Sequence, residues 1–217
     1  MADFAELRER MVRRQIEARG IADPAILDAF RAVPRDAFVD EAHAAWAYDD
    51  HPLPIEAGQT ISQPYIVALM IEAAEIGPGD TVLEVGAGSG YAAAVMSRIA
   101  ARVIGIERQH DLVEVASERL KRLGYDNVRI VEGDGTRGCP SHAPFDAILA
   151  AASGSHVPQP LIDQLAPGGR LVMPVGGPHD VQHLVKVTRR EDGSLQQSDL
   201  GAVRFVPLIG EEGWRER

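Results

Sequence analysis

Three glycines at alternate positions, Gly86-Ala-Gly88-Ser-Gly90, stand between an apolar run and the helix-forming stretch Tyr91-Ala-Ala-Ala-Val-Met. Glycines in such a place let the backbone turn sharply and let a ligand approach the main chain, while the following helix N-terminus favours negative charge. The plainer reading is a tight strand-to-helix connection that binds nothing. The spacing is Gly-x-Gly-x-Gly, not the Gly-x-Gly-x-x-Gly that seats a dinucleotide pyrophosphate, so an adenosyl ligand without phosphates fits better than a nicotinamide cofactor. Glu107 follows Glu84 by twenty-three residues and closes the next apolar run. A carboxylate there can accept hydrogen bonds from both hydroxyls of a ribose. Asp134, in Glu132-Gly-Asp-Gly135, closes a third run and is placed to receive an adenine amino group. Each carboxylate by itself reads as a solvated strand end. Their succession points to one crevice, because open α/β sheets bind ligands at the carboxyl ends of their strands.

Ser62 is the candidate for holding an anionic acceptor, since a hydroxyl donates to a carboxylate without neutralising it. It also precedes Gln63-Pro64-Tyr-Ile-Val-Ala-Leu-Met, so on spacing alone it reads first as a helix cap. The two roles are compatible, and Gln59 and Thr60 would line the same loop. His179 and His183 stand four apart, but in a segment leading into a strand, where that spacing does not bring side chains together, so no metal is expected. Trp46, Tyr48 and Trp214 could touch a peptide, although packing is the commoner use of each.

These residues need elements to position them. Phe4, Leu7, Met11, Val12 and Ile16 recur at helical spacing, which predicts an amphipathic helix closed by Gly20. Asp23 and Pro24 predict the cap and first turn of a second helix ending near Val33-Pro34. Residues 46–59, rich in Pro, Asp and Gly, predict an irregular cover. From Thr81 onward short apolar runs alternate with helical stretches, the pattern of a parallel α/β sheet. Strands are predicted at 81–85, 102–107, 128–132, 146–151 and 170–175, with helices at 91–100, 111–123 and 158–165. Residues 184–188 and 202–208, flanking Glu191-Asp-Gly193, predict an antiparallel pair closing the sheet. The expected organisation is one domain over 1–217: N-terminal helices and active-site loop over 1–75, a cofactor-binding core over 76–176, and C-terminal strands over 177–217. The expected fold class is thus α/β, Rossmann-like and doubly wound, with a mostly parallel sheet, a C-terminal antiparallel hairpin and an N-terminal helical cover.

Composition narrows the function classes. A chain of 217 residues with 45% hydrophobic content can bury one sizeable core. Its apolar stretches break within about a dozen residues, short of the ~20 that span a bilayer, so no membrane association is expected. Residues 1–20 interleave acids with five arginines and hold no apolar signal core, and the expected location is the cytoplasm. The single cysteine, Cys139, excludes an internal disulfide and a thiolate cage. A formal charge of -10 disfavours a nucleic-acid partner.

Four segments, Val82-Leu-Glu-Val-Gly-Ala-Gly-Ser-Gly-Tyr91, Val103-Ile-Gly-Ile-Glu-Arg108, Pro144-Phe-Asp-Ala-Ile148 and Leu165-Ala-Pro-Gly-Gly-Arg-Leu-Val-Met-Pro-Val-Gly176, resemble the successive motifs of class I S-adenosylmethionine-dependent methyltransferases. More narrowly, Met11-Val-Arg-Arg-Gln-Ile-Glu-Ala-Arg-Gly20, Gly58-Gln-Thr-Ile-Ser-Gln-Pro64 and Val203-Arg-Phe-Val-Pro-Leu-Ile-Gly-Glu-Glu-Gly-Trp214 resemble the protein-L-isoaspartate O-methyltransferase family. Ala87 and Ala150-Ala-Ala152 depart from its usual pattern. The resemblance implies S-adenosyl-L-methionine as donor and S-adenosyl-L-homocysteine as product. It implies a donor site at Thr60, Glu84, Gly86, Gly88, Ser89, Gly90, Glu107, Arg108, Asp134 and Gly135, with Ser62 on the acceptor. The partners it implies are isoaspartyl-containing peptides and proteins, met by a monomer. Methylation of the free α-carboxylate would give an ester that collapses to a succinimide and reopens partly as normal aspartate.

A carboxylate is ionised at neutral pH and serves as its own nucleophile, so no general base is needed. Alignment and exclusion of water are what such a protein must supply. The nearest alternative is a sibling methyltransferase with a small-molecule acceptor. An NAD-dependent reductase is disfavoured by the glycine spacing and the lack of a Tyr-Lys or Cys-His pair. A non-catalytic adenosyl-binding module is the third reading.

Overall fold

Where both faces of a strand are covered, near-continuous apolar runs are required, and the centre of this protein is built from such runs. In the computed structural model, which describes residues 3–178 and 180–215, the chain first lays down α1 (Phe4–Met11), α2 (Pro24–Ala32), a two-stranded hairpin of β1 (Leu53–Pro54) and β2 (Thr60–Ile61), and α3 (Pro64–Ala73). Strands and helices then alternate: β3 (Thr81–Val85), α4 (Tyr91–Met96), β4 (Arg102–Glu107), α5 (His110–Arg122), β5 (Val128–Glu132), β6 (Phe145–Ala150), α6 (Gln159–Asp163), β7 (Leu165–Val175), β8 (Gln182–Arg189) and β9 (Leu195–Val203). The large sheet has the order β5-β4-β3-β6-β7-β8-β9. Its pairings are parallel from β5 to β7 and antiparallel from β7 to β9.

Val82, Leu83, Val85, Val103, Ile104 and Ala147 to Ala150 are all buried. One face of the sheet packs on α4 and the N-terminal helices through Met11, Phe30, Phe38 and Ile71; the other packs through Phe145, Leu161, Leu171 and Met173. The N-terminal helices therefore form part of the core. Asp23 caps α2 as predicted, its Oδ1 accepting from Ala25 N–H (2.8 Å), and Pro24 fills the first turn.

Several predicted elements have other bounds, β7 among them, which starts at Leu165 and not at Arg170. The first helix does not run straight to Ile16: the α geometry stops at Met11 and a π turn (Val12–Ile16) and a 3-10 turn (Glu17–Arg19) follow, closed by left-handed Gly20. The helix predicted at 91–100 stops at Met96, and that at 158–165 shrinks to Gln159–Asp163 because Leu165 already belongs to β7. The last strand is Leu195–Val203 instead of 202–208. Its register follows from the tight turn, in which Arg190 N–H donates to Ser194 C=O (2.8 Å). The polar run Gln196 to Asp199 is therefore drawn into pairing with β8 at an exposed edge, where no alternation is needed. Residues 204–208 go on instead to the site.

Candidate active site

The chain begins its sheet in the middle, at β3, works outward to β5 and returns to β6 on the other side of β3. Connections after β3 and β6 therefore diverge and leave a crevice at their carboxyl ends. A cleft of about 340 Å³ lies there, lined by Val85, Gly86 and Gly88 after β3, Ile106 to Gln109 after β4, Gly135 after β5 and Ala151–Ala152 after β6. Two further segments wall it: Gly58, Gln59 and Thr60 of the β1–β2 hairpin, and Val206 to Ile209.

Glu107 is held rigidly in this cleft. Its Oε2 accepts from Gly88 N–H (3.1 Å), and Oε1 accepts from the amides of Arg108 (2.8 Å) and Gln109 (3.0 Å). A carboxylate offers about four acceptor directions, so capacity remains for a ligand. Close approach to the backbone is kept open at Gly88, which has φ +53° and would place a Cβ 3.3 Å from Ile55 Cδ1. At Gly135 a Cβ would meet Val85 Cγ1 at 2.6 Å.

Behind the glycine turn is a smaller cavity of about 50 Å³, lined among others by Thr60, Ser62, Met70, Glu84, Ser89, Tyr91 and Met96. Glu84 is 3% exposed, and its Oε2 is buried with no hydrogen-bond partner among the described residues. Burial, with the Glu107 charge second, holds its carboxyl well above the usual range. An orphaned acceptor beside a second acid is a place for a cation or a donor group. Taken with the glycine cradle and the pinned Glu107, this donor set fits a ligand that joins a ribose to a positively charged amino-acid end.

The mouth of the cleft is the loop after β1. Thr60 and Ala151 line the cleft, the inner cavity and a third, open groove of about 740 Å³; Ser62 lines the last two. The groove runs over Ile66, Val181 and Ala202 to Pro207, and among the described residues Arg204 is the one charged side chain in its lining. Ser62 does not cap α3, correcting the reading from spacing. Gln63 occupies the N-cap position, without a side-chain bond. The hairpin is tied down by Arg119 of α5, which donates to Ser89 C=O (3.1 Å) and to Glu56 Oε1 (2.8 Å). The loop is tied at its other end by Arg35, wholly buried, whose Nε donates to Ala47 C=O (2.8 Å) and Nη2 to Ser62 C=O (2.8 Å).

Of the predicted residues, Thr60, Gly86, Gly88, Glu107, Arg108 and Gly135 surround the cleft, while Glu84 and Ser89 face the inner cavity. Two do not reach either space. Gly90 is a packing position, where a Cβ would sit 3.1 Å from Leu120 Cδ1. Asp134 spends its oxygens inside the protein: Oδ1 accepts from the amide (2.9 Å) and hydroxyl (2.7 Å) of Thr136, and Oδ2 from Glu211 N–H (2.8 Å). Burial alone would raise its pKa, but these bonds and Arg137 outweigh it and hold the carboxyl below its ordinary value. Its geometry is that of a clasp for the C-terminal segment, and with three bonds accepted it keeps the same spare acceptor capacity as Glu107. Arg35, Arg119 and the wall at Val206 to Ile209 were not found from sequence, because a buried arginine has no periodic signature. His179 lies outside the described residues, and His183 is bonded with Asp199 (2.7 Å) across the hairpin. Tyr48 is buried, Trp46 exposed, and the Trp214 indole donates to Ser153 C=O (2.9 Å).

A mostly parallel sheet ending in an antiparallel pair, with an adenosyl-type cleft over its central strands, defines a Rossmann-like class I methyltransferase. The family profile described as protein-L-isoaspartate(D-aspartate) O-methyltransferase matches residues 6–213, and the chain belongs to that family. It is 55% identical to protein-L-isoaspartate O-methyltransferase 2 of Pelobacter propionicus, over 95% of this chain and 92% of that one. A solved protein-L-isoaspartate O-methyltransferase superposes with a TM-score of 0.85 at 31% identity, over 94% of this chain and 66% of that chain's length. A Plasmodium falciparum structure described as a member of the same family, in complex with S-adenosyl-L-homocysteine, gives 0.79 at 30% identity over 93% and 98%.

Proposed function

We propose that this protein transfers the methyl group of S-adenosyl-L-methionine to the free carboxylate of L-isoaspartyl residues in damaged proteins and peptides, leaving S-adenosyl-L-homocysteine. The observation that carries the reading is the meeting of three spaces at Thr60 and Ala151. A donor in the cleft and a peptide in the groove would face each other there, with Ser62 between them. When bound, the donor supplies a methyl carbon on a cationic sulfur, and the acceptor arrives already ionised.

The chain's own residues then bind, orient and exclude water. Glu107, fixed by three amides, accepts from the ribose hydroxyls. Glu84 offers its unused oxygen to the cationic end of the donor. Ser62 donates to the acceptor carboxylate and orients it, leaving its charge in place. Ile55 over Gly88, and Val206 to Ile209 opposite, close the cleft against water, which strengthens every charge interaction inside it. Alignment of this kind can supply roughly 7–11 kcal/mol. The adenine wall is backbone and apolar surface at Gly135, with Asp134 beside it offering its remaining acceptor capacity to the amino group.

We read 1–217 as one functional unit that works as a monomer in the cytoplasm, without nucleic acid; the net charge of -10 supports the last point. Among the described residues no helix is long and apolar enough to cross a membrane. The test is incubation of purified protein with isotope-labelled donor and a synthetic isoaspartyl peptide, with the matching aspartyl peptide as control. Label is expected in the first alone; labelling of both peptides, or of neither, contradicts the assignment.

A further inference from the structure

Arg35 is 0% exposed, and among the described residues it has no carboxylate partner. Its bonds go to two backbone carbonyls, Ala47 and Ser62 (2.8 Å each), and its guanidinium carbon lies 4.8 Å from the centroid of the Tyr91 ring. Nη1 is buried with no hydrogen-bond partner among the described residues, as is the Tyr91 hydroxyl. Burying a guanidinium this way is expensive, and an apolar side chain of similar length would fill the space at less cost. What only the arginine provides is a fork whose fixed directions hold two carbonyls at once.

Those three contacts belong to three parts of the site. Ala47 is in the N-terminal cover, Ser62 in the loop at the groove, and Tyr91 opens α4 directly after the glycine turn. The peptide carbonyl of Ser62 is therefore referenced to the same helix that carries the donor-side turn. No other side chain makes a hydrogen bond to Ser62 among the described residues, so without Arg35 the loop between β2 and α3 keeps the bond from Gln63 Nε2 to Asp50 C=O (3.1 Å) but loses its tether to α4.

We infer that Arg35 is the positioning residue that sets the Ser62 hydroxyl between the inner cavity and the groove, acting on turnover through Ser62 and not through donor binding. This rests on the acceptor role proposed for Ser62.

The test is a double-mutant cycle on turnover with the isoaspartyl peptide, using Arg35→Met, Ser62→Ala and the double variant, with donor affinity measured by calorimetry. Arg35→Met is expected to lower kcat by about tenfold or more with donor Kd within about twofold, and the double variant to match Ser62→Ala within about twofold. A merely structural arginine would give losses that multiply, or a donor affinity that falls in step with kcat; either result overturns the inference, as does an unchanged kcat. Should Arg35→Met fail to fold, Arg35→Lys carries the same cycle, since it keeps the charge and reaches one carbonyl. A parent protein that labels no isoaspartyl peptide refutes the proposed reaction itself, whereas an active parent with multiplying losses refutes only the role of Arg35.

Discussion

Ser62 and Glu107 divide the work between acceptor and donor, and their surroundings show how. The Ser62 hydroxyl is spared from capping α3 because Gln63 occupies the N-cap position, so it is available to a substrate, whereas Glu107 is pinned by three amides before any ligand arrives. Ser62→Ala should therefore lower kcat on the isoaspartyl peptide while donor Kd stays within about twofold; equal turnover in the variant removes Ser62 from the mechanism. Glu107→Ala should weaken donor binding by about tenfold to hundredfold, the range for losing charged hydrogen bonds. It also frees Gly88, Arg108 and Gln109 amides, so calorimetry must be paired with a thermal melt, and an unchanged Kd in a folded variant contradicts the ribose contact. Both residues were legible in the sequence, because a strand-end acid and a loop serine are local features. The clasp on Asp134 was not legible: nothing local indicates that the amide of Glu211, far along the chain, returns to its carboxylate.

At the scale of elements, the β1–β2 hairpin decides access. Residues 46–59 look shapeless in sequence, yet Leu53 pairs with Ile61 and Pro54 with Thr60. Ala57 and Gly58 turn the hairpin with positive φ. The hairpin is latched by Arg119 and Glu56, a pair with side chains 9% and 27% exposed. Removing one partner of such a pair leaves an uncompensated charge, so Arg119→Met should cost roughly 3 kcal/mol in denaturant unfolding. It should also speed donor release, followed by stopped-flow displacement. An unchanged release rate would show that the hairpin is not the gate. The strands β3 and β4 were readable to the residue since buried parallel strands must be apolar runs, and the half-exposed edge strand β5 was readable from its β-branched residues at Val128, Ile130 and Val131. The polar edge strand β9 was not, because its pairing comes from a turn and not from a face.

The whole molecule concentrates acids where a cation is to bind, and that has a consequence for stability. Glu84 keeps its proton more tightly folded than unfolded, owing first to burial and then to Glu107. Such a group takes up a proton on folding, so its contribution falls as pH rises from the ordinary value of 4.5 toward the raised one. In the donor-free protein, Glu84→Gln should thus gain Tm relative to the parent as pH rises from about 4.5 toward neutrality. A difference in Tm that does not vary with pH would assign the effect to something other than this carboxyl. What the sequence by itself determined was the sheet, the glycine turn, the order of strand-end acids and the family motifs, all of which are set by neighbours along the chain. Only the tertiary structure decided which of those acids line the cleft and its inner cavity, how the C-terminal segment walls the cleft and what holds the Ser62 loop. Those are contacts between residues dozens of positions apart, and hydrogen-bond geometry across such distances exists only once the chain has closed on itself.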